Sequence, residues 1–461
     1  MITDRYDPMN LFELVPKLSL EMEPELVELD RLLEDDSLFQ RVKADLSRRY
    51  PNSAIKGRHS TPVEVILRML VVRRLYDWSY EETERFVSDS LVLRQFCRLY
   101  LQKAPDHSTL DRWAALIGPE TLEALNEHVV ALARCLKVTR GRKLRSDGTP
   151  VETNVHHPSD SSLLADGVRV LSRVIGRARD AVGGAIDQGE GIFRSRTRSA
   201  KRLSREIGNA ARRRGDEAER AMRSAYRRLI GVAEAIAKQA HLVREQLSQA
   251  PKAVDEGLAR QIDRFLPLVD RVISQTRRRV LLGEPVAAAE KVLSLFEPHT
   301  AVLPKPGREP KFGRKVWIDE VDGGIISGYR VLAGNPGDDS QLLPALEQHE
   351  RLFGRPPRLF AADRGVHSPK GERAAQEMGV RQVVLPRPGR KSPERQHYER
   401  QGWFRRGMRF RAGVEGRISV LKRRGYLGRC RDRGERGFER WIGWGVLTAN
   451  LSTIARAVAS R

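Results

Sequence analysis

The sequence predicts an α/β fold: a sheet interrupted by a long helical insertion and preceded by an all-α, helix-turn-helix-like N-terminal region. Three observations predict it. Residues 62–137 carry repeated helix starts, each followed by apolar residues at helical spacing. Residues 142–155 and 305–386 hold short β-branched or apolar runs set between turn residues and helical stretches, the alternation expected of an α/β sheet. The stretch from about 160 to 299 is helical and arginine-rich, without strand signals. A chain of 461 residues has a prior of about three domains. The boundaries expected are 1–50, an acidic N-terminal segment; 51–140, a helical DNA-binding domain; 141–175 with 305–461, the α/β domain; and 176–304, a helical basic insertion.

Residues 1–50 hold twelve acids and seven bases, with Leu26, Leu29, Leu32 and Leu33 spaced for one short amphipathic helix. Thr61 with Glu64, Ser79 with Glu82, and Ser108 with Asp111 then read as capping boxes that open successive helices. In the first, Val63, Ile66, Leu67, Leu70 and Val71 form the apolar stripe, with Arg68, Arg73 and Arg74 toward the other side. The segment PDHSTLDRW at 105–113 opens a helix whose N-terminus is suited to a phosphate. A strand is expected to end near Asp147, and a helix to start at about 160 with Asp160 as its cap. VWIDEVDGGIISGYRVL reads as a hairpin turning at Asp322-Gly323-Gly324, with Asp319 and Asp322 as hairpin residues. Next come a helix at 339–353, a buried strand at 358–363, a helix from 368, a strand at 380–386 and a helix at about 409–424. The apolar C-terminal segment carries Trp441 and Trp444 as core packers.

The charge balance is the most informative compositional fact. Lys and Arg total 83 against 60 Asp and Glu, a net charge of +23, which calls for a polyanion partner. Residues 381–436 hold eighteen bases against five acids, and 194–228 hold thirteen against four, as phosphate-contacting surfaces do. Cys97, Cys135 and Cys430 lie far apart, which argues against a disulfide framework or a Cys-based zinc site. Adjacent His156 and His157 point to opposite faces of an extended chain, against shared zinc ligation. No apolar run reaches the roughly 18 residues of a spanning helix, so a cytoplasmic protein, nucleoid-associated when bound to DNA, is expected. No phosphate-binding loop of nucleotide enzymes occurs, so no nucleotide cofactor is expected.

Three carboxylates sit where an α/β sheet places reactive groups. Asp147 follows a short strand, and Asp363 ends the run Leu359 to Ala362. Glu415 lies beside the stripe of Val414, Ile418 and Leu421, with Arg411 and Lys422 on its own face. Clustered acids repel one another unless a divalent metal neutralises them, and an all-oxygen set suits magnesium, with manganese as substitute.

The string Arg411-x3-Glu415-x6-Lys422 is similar to the tyrosine-arginine-glutamate-lysine signature of bacterial insertion-sequence transposases with a DDE triad. SDGTPVE around Asp147 and FAADRGVHS around Asp363 resemble the other two acidic blocks of that family, and residues 60–113 resemble its N-terminal helical domain. The resemblance covers about half the chain in the expected order. It implies a ribonuclease-H-like catalytic domain with a helical insertion, in which Asp147, Asp363 and Glu415 ligate Mg2+. It also implies that Arg411, Lys422 and Arg364 lie near DNA, that double-stranded DNA (element ends and target) is the substrate, and that a homodimer or larger synaptic complex forms. The expected reaction is strand cleavage followed by transfer of the 3′-hydroxyl. The alternatives are a metal-dependent nuclease without strand transfer and a non-catalytic DNA-binding derivative. Met408 stands at the signature's tyrosine position, leaving Tyr398 or Phe410 to supply any aromatic contact; Arg364 and Val366 stand where a lysine and an aromatic are common.

Overall fold

The structure, a computed structural model, describes residues 4, 22–48, 52, 60–181, 195–249, 254–305 and 307–461. Most of residues 1–21 and part of the basic stretch around Arg194 lie outside the described residues. The chain divides into two compact units: Met1–Asn154 with Arg314–Arg461, and Val155–Gly313.

Among the described residues the first unit starts with two helices where the leucine spacing predicts one: α1 (Pro24–Leu32) and α2 (Asp36–Ser47). The break is made by Asp35, whose carboxylate accepts from the Ser37 amide and so starts a new helix. Five more helices follow: α3 (Val63–Leu75), α4 (Tyr80–Asp89), α5 (Leu91–Phe96), α6 (His107–Ala114) and α7 (Pro119–Cys135). The Ser79–Glu82 capping box is formed as expected. The other two are not. Pro62 takes the N-cap of α3 with no side-chain bond, because proline already supplies the φ that a helix start needs. Asp106, two residues before the expected Ser108, caps α6 through the Thr109 amide.

The expected outward face of α3 does not exist. Every residue from Val63 to Arg74 is buried, including Arg68, Arg73 and Arg74. Arg68 bonds Glu64, Asp30 and the Phe96 carbonyl. Arg74 donates to the carbonyls of Gly425 and Tyr426 and lies 3.7 Å from the Trp441 ring centroid. Desolvation lowers its pKa to about 10, which leaves it cationic at neutral pH. These arginines join helices to one another, so periodicity read only from apolar residues misplaces them.

The sheet of this unit comprises β1 (Lys143–Glu152), β3 (Arg308–Val321, of which the stretch from Arg314 lies here), β4 (Ile325–Val331), β5 (Leu359–Ala361) and β6 (Gln382–Val384), in the order β4-β3-β1-β5-β6. β3 and β4 are antiparallel and turn at Gly323 and Gly324, both at positive φ. β1, β5 and β6 run parallel; α12 (Leu342–Phe353) leads from β4 into β5, and α13 (Pro369–Glu377) from β5 into β6. Asp322 holds the hairpin to the start of β1 by accepting from the amides of Arg140, Arg142 and Lys143. Asp319 departs from the expectation: it is not a turn residue but a buried acid inside β3 that accepts from Ser146 and Trp317 and is ion-paired with Arg330.

Two helices follow where one is expected: α14 (Pro393–Arg400) and α15 (Gly402–Arg423). The start of α15 seven residues ahead of 409 is hidden in a sequence dominated by arginines, yet Phe404 packs with Leu359, Ala361 and Val384 of the sheet. Gly407 permits this approach, since a Cβ there would lie 2.4 Å from a Val384 methyl. The last helix, α16 (Glu435–Ala459), is buried along most of its length, with Trp441 and Trp444 inside, and it packs against α1, α3, α7 and β4. It therefore ties the N-terminal helices and the sheet into one unit.

The second unit is a helical bundle of α8 (Asp160–Ala181), α9 (Thr197–Ala210), α10 (Asp216–Gln249) and α11 (Val254–Thr276), with β2 (Ala301–Lys305) paired to the first half of β3. Leu163, Leu171, Leu203, Ile236 and Val269 belong to one apolar cluster made only of this unit's residues. That cluster explains why α8, expected with the α/β domain, belongs to the insertion. Ser159, rather than Asp160, takes the amide of Ser162 at the start of α8; the Asp160 carboxylate instead reaches Gln275 and Arg279 near the end of α11.

Candidate active site

The parallel pairing of β1 with β5 ends at Arg145 opposite Ala361, and Asp147 and Asp363 each lie two residues beyond that last pair. Because side chains alternate along a strand, Asp147 shares a face with Arg145. That face is the one α15 covers: Arg145 donates to the Phe410 carbonyl at 2.6 Å and to Glu320 at 2.8 Å. Gly413 lets the guanidinium pass, since a Cβ there would lie 2.1 Å from it. One turn of helix separates Arg411 from Glu415, which places both side chains on one side of α15.

The three acids meet around the Arg411 guanidinium. Arg411 bonds Glu415 at 2.8 Å and stands 3.8 Å from carboxylate oxygens of both Asp147 and Asp363. Exposure rises outward across the group, from 14% for Arg411 and 21% for Asp147 to 49% for Asp363 and 64% for Glu415. Groups 216 and 52 residues apart in sequence therefore share one half-open site. Burial pushes the Asp147 carboxyl up to about 6, against the opposing pull of Arg411 and the Gly148 amide; Asp363 and Asp338 add to the rise by repulsion. Asp363 also accepts from the Arg364 amide, which fixes the turn after β5 and leaves the Arg364 side chain exposed beside it.

The sequence reading misses two residues here. Asp338, in the short 3-10 segment before α12, is paired with Lys315 of β3, and its carboxylate comes within 3.4 Å of where a Cβ on Gly365 would stand. Two consecutive acids after Asn335-Pro336-Gly337 were the available signal, and a turn motif that common carries little information. Glu320, buried and bound to Arg145, sets the floor of the site and looks in sequence like an ordinary strand residue.

Other expectations change. Lys422, expected beside DNA, donates to the Pro150 carbonyl at 3.0 Å and so ties α15 to β1. Tyr398 packs edge-on against Trp403 and Phe404, while the Phe410 ring lies under Arg145. Both aromatics, like Met408, thus pack against the cluster of Leu359, Ala361, Val384 and Phe404. The start of α6, expected to receive a phosphate, already holds the Asp106 carboxylate, whose pKa is lowered by Ser108 and Thr109, and Glu84 bonds His107 beside it. A second anion is disfavoured there.

Three carboxylates offering only oxygen donors have the chemistry that magnesium or manganese takes. In this fold they converge on a guanidinium, and among the described residues no three His, Cys, Asp or Glu side chains are close enough to form a metal group by themselves. Among the described residues no helix is long and apolar enough to cross a membrane. No curated protein and no solved structure matched the chain. Residues 12–116 do match a family model, described as Transposase domain (DUF772), so the N-terminal helices, including α1 and α2 of the acidic segment, are similar to a transposase domain.

Proposed function

We propose that the chain is a DDE transposase that binds the ends of its own element and cleaves and joins DNA strands. The observation that carries this reading is the convergence of Asp147, Asp363 and Glu415 on the single point held by Arg411. The order β4-β3-β1-β5-β6, with β1, β5 and β6 parallel and β3–β4 antiparallel, supports a ribonuclease-H-like catalytic domain. The N-terminal transposase-domain match supports the same reading from a separate part of the chain.

Asp147, Asp363 and Glu415 would hold Mg2+, or Mn2+ in its place. Once bound, the metal supplies an activated water or 3′-hydroxyl and stabilises the leaving oxygen. The chain's own residues define the rest. Burial raises the Asp147 carboxyl to about 6, so without a metal it keeps its proton to a higher pH than an ordinary aspartate. Arg411 balances the carboxylates in the folded protein and has the reach to follow Glu415 or a phosphate as the site fills. Arg364, exposed next to Asp363, offers charge to the DNA backbone. Two DNA ends must be held at once for joining, so a dimer or larger synaptic assembly accompanies this reading.

A second reading is favoured by Met408 and by the guanidinium at the centre of the acids: a non-catalytic DNA-binding derivative. The test is cleavage and joining of a labelled duplex carrying the element's end, with magnesium, for the wild type and Glu415→Gln. Joined product lost in the variant while binding persists supports the transposase; cleavage without joining assigns a nuclease; binding with no cleavage in either protein assigns the derivative.

A further inference from the structure

The second unit carries a cationic surface that its own folding does not use. In α9, Arg198, Lys201, Arg202 and Arg205 fall within an arc of about 100° when placed at 3.6 residues per turn. Ala200, Leu203 and Ile207 occupy the opposite side and are buried in the bundle core. The four basic side chains line a depression of about 490 Å3 with Glu206 and Asn209. All four are exposed, and among the described residues none has a carboxylate partner. Glu206, the one acid on this side, is already paired with Arg228. Three further exposed arginines follow at 212–214. Like charges one turn apart disfavour a helix, so this arrangement has no stabilising role in the bundle.

We infer that this face of α9 is a binding surface for the phosphate backbone of duplex DNA, engaged without regard to base sequence. At the helical rise per residue the four positive groups span about 10.5 Å of the axis, in steps of about 4.5, 1.5 and 4.5 Å, a density suited to neighbouring phosphates. An anionic membrane is a poor match. A basic amphipathic helix binds lipid by burying its apolar side, and in α9 that side is enclosed by α8 and α10. Arginine and lysine contacts to phosphate give affinity and register, and they do not read bases. The inference rests on the reading of the chain as a DNA-acting transposase, but its test requires no cleavage.

The test compares the full chain with the quadruple variant Arg198→Ala, Lys201→Ala, Arg202→Ala, Arg205→Ala. Binding to a fluorescent duplex of arbitrary sequence is followed by anisotropy from about 50 to 300 mM salt. If each side chain meets one phosphate, the slope of log K against log salt falls by about 3.6 in magnitude, and affinity at physiological salt drops by about tenfold or more. A variant carrying lysine at the three arginine positions restores the slope. Thermal melting of each variant confirms folding. Equal slopes for wild type and quadruple variant overturn the inference, as does absence of duplex binding by the wild type or tighter binding to RNA than to DNA. Unchanged strand joining with equal slopes removes this inference and leaves the transposase reading; a slope difference without any cleavage does the reverse.

Discussion

Helices α3 and α9 carry three and four basic residues, and the structure uses them in opposite ways. In α3 the arginines are internal: Arg68 is fully enclosed and bound to two acids and a carbonyl, and Arg74 reaches the carbonyls of the segment before α16. In α9 the same kind of side chain stands in solvent, with no carboxylate partner among the described residues. The difference lies in what surrounds the helix. Helix α3 is packed on all sides and must satisfy every charge from within, because a buried unpaired cation costs several kcal/mol. Helix α9 packs on one side only and can leave its charges to water or to a ligand. Net charge therefore says little until each cation is assigned to one of these states. The candidate active site is a third case, with Arg411 partly buried among more acids than it can neutralise.

The largest contrast should come from Arg68→Ala, which removes the fully buried cation shared by Glu64 and Asp30 and leaves them only the more exposed Arg98. A loss of about 3–5 kcal/mol is expected, read as a lower urea midpoint. A shift below about 1 kcal/mol would show that the buried arginines of α3 behave like surface charges. Asp147→Asn comes next. The folded carboxyl titrates at about 6, above its ordinary 3.8, so the folded state keeps a proton that the unfolded chain has lost between those values. Stability from this group falls as pH rises through that window. In chelator-containing buffer the variant should melt above the wild type at pH 8, by no more than about 3 kcal/mol, and with it at pH 3. A variant that melts lower at pH 8 would mean that Arg411 outweighs burial.

Gly407→Ala places a methyl against Val384 and should cost about 1–3 kcal/mol. Strand cleavage should fall further than stability does, because the shift in α15 carries Glu415 away from Asp147 and Asp363; parallel losses would indicate that α15 does not position the site. Ser79→Ala removes a formed capping box and should cost about 1 kcal/mol, measured by chemical denaturation. The smallest effect on stability is expected from the alanine substitutions on α9, within about 0.5 kcal/mol per site. A marked destabilisation there would place those charges in the same class as α3.

Much of the site is legible in the sequence, and the reason is local. The strands that carry Asp147 and Asp363 are recognisable from β-branched runs and turns, although β1 runs on to Glu152 instead of ending near Asp147 and Asp363 caps the turn two residues past the end of β5. Glu415 lies one helical turn from Arg411. The hairpin at Asp322-Gly323-Gly324 is equally plain, since only glycine takes those φ values without strain. Asp338 and Glu320 are not legible, because their importance comes from Lys315 and Arg145 on other strands. Asp319 is misread for the same reason, its partners being Ser146 and Arg330. Helix α15 begins early because the sheet receives Phe404 through the gap left by Gly407, which no periodicity reveals.

By itself the sequence determined the alternation of strands and helices, the basic character of two segments and the three acids that define the candidate site. These follow from short-range rules: side-chain period, turn chemistry and charge count. Only the tertiary structure decided which arginines are internal and which are exposed, that Lys422 serves a backbone carbonyl, that α8 belongs to the inserted bundle, and that the three acids share Arg411. Those outcomes depend on residues far apart in the chain becoming neighbours, and burial and pairing exist only once they do.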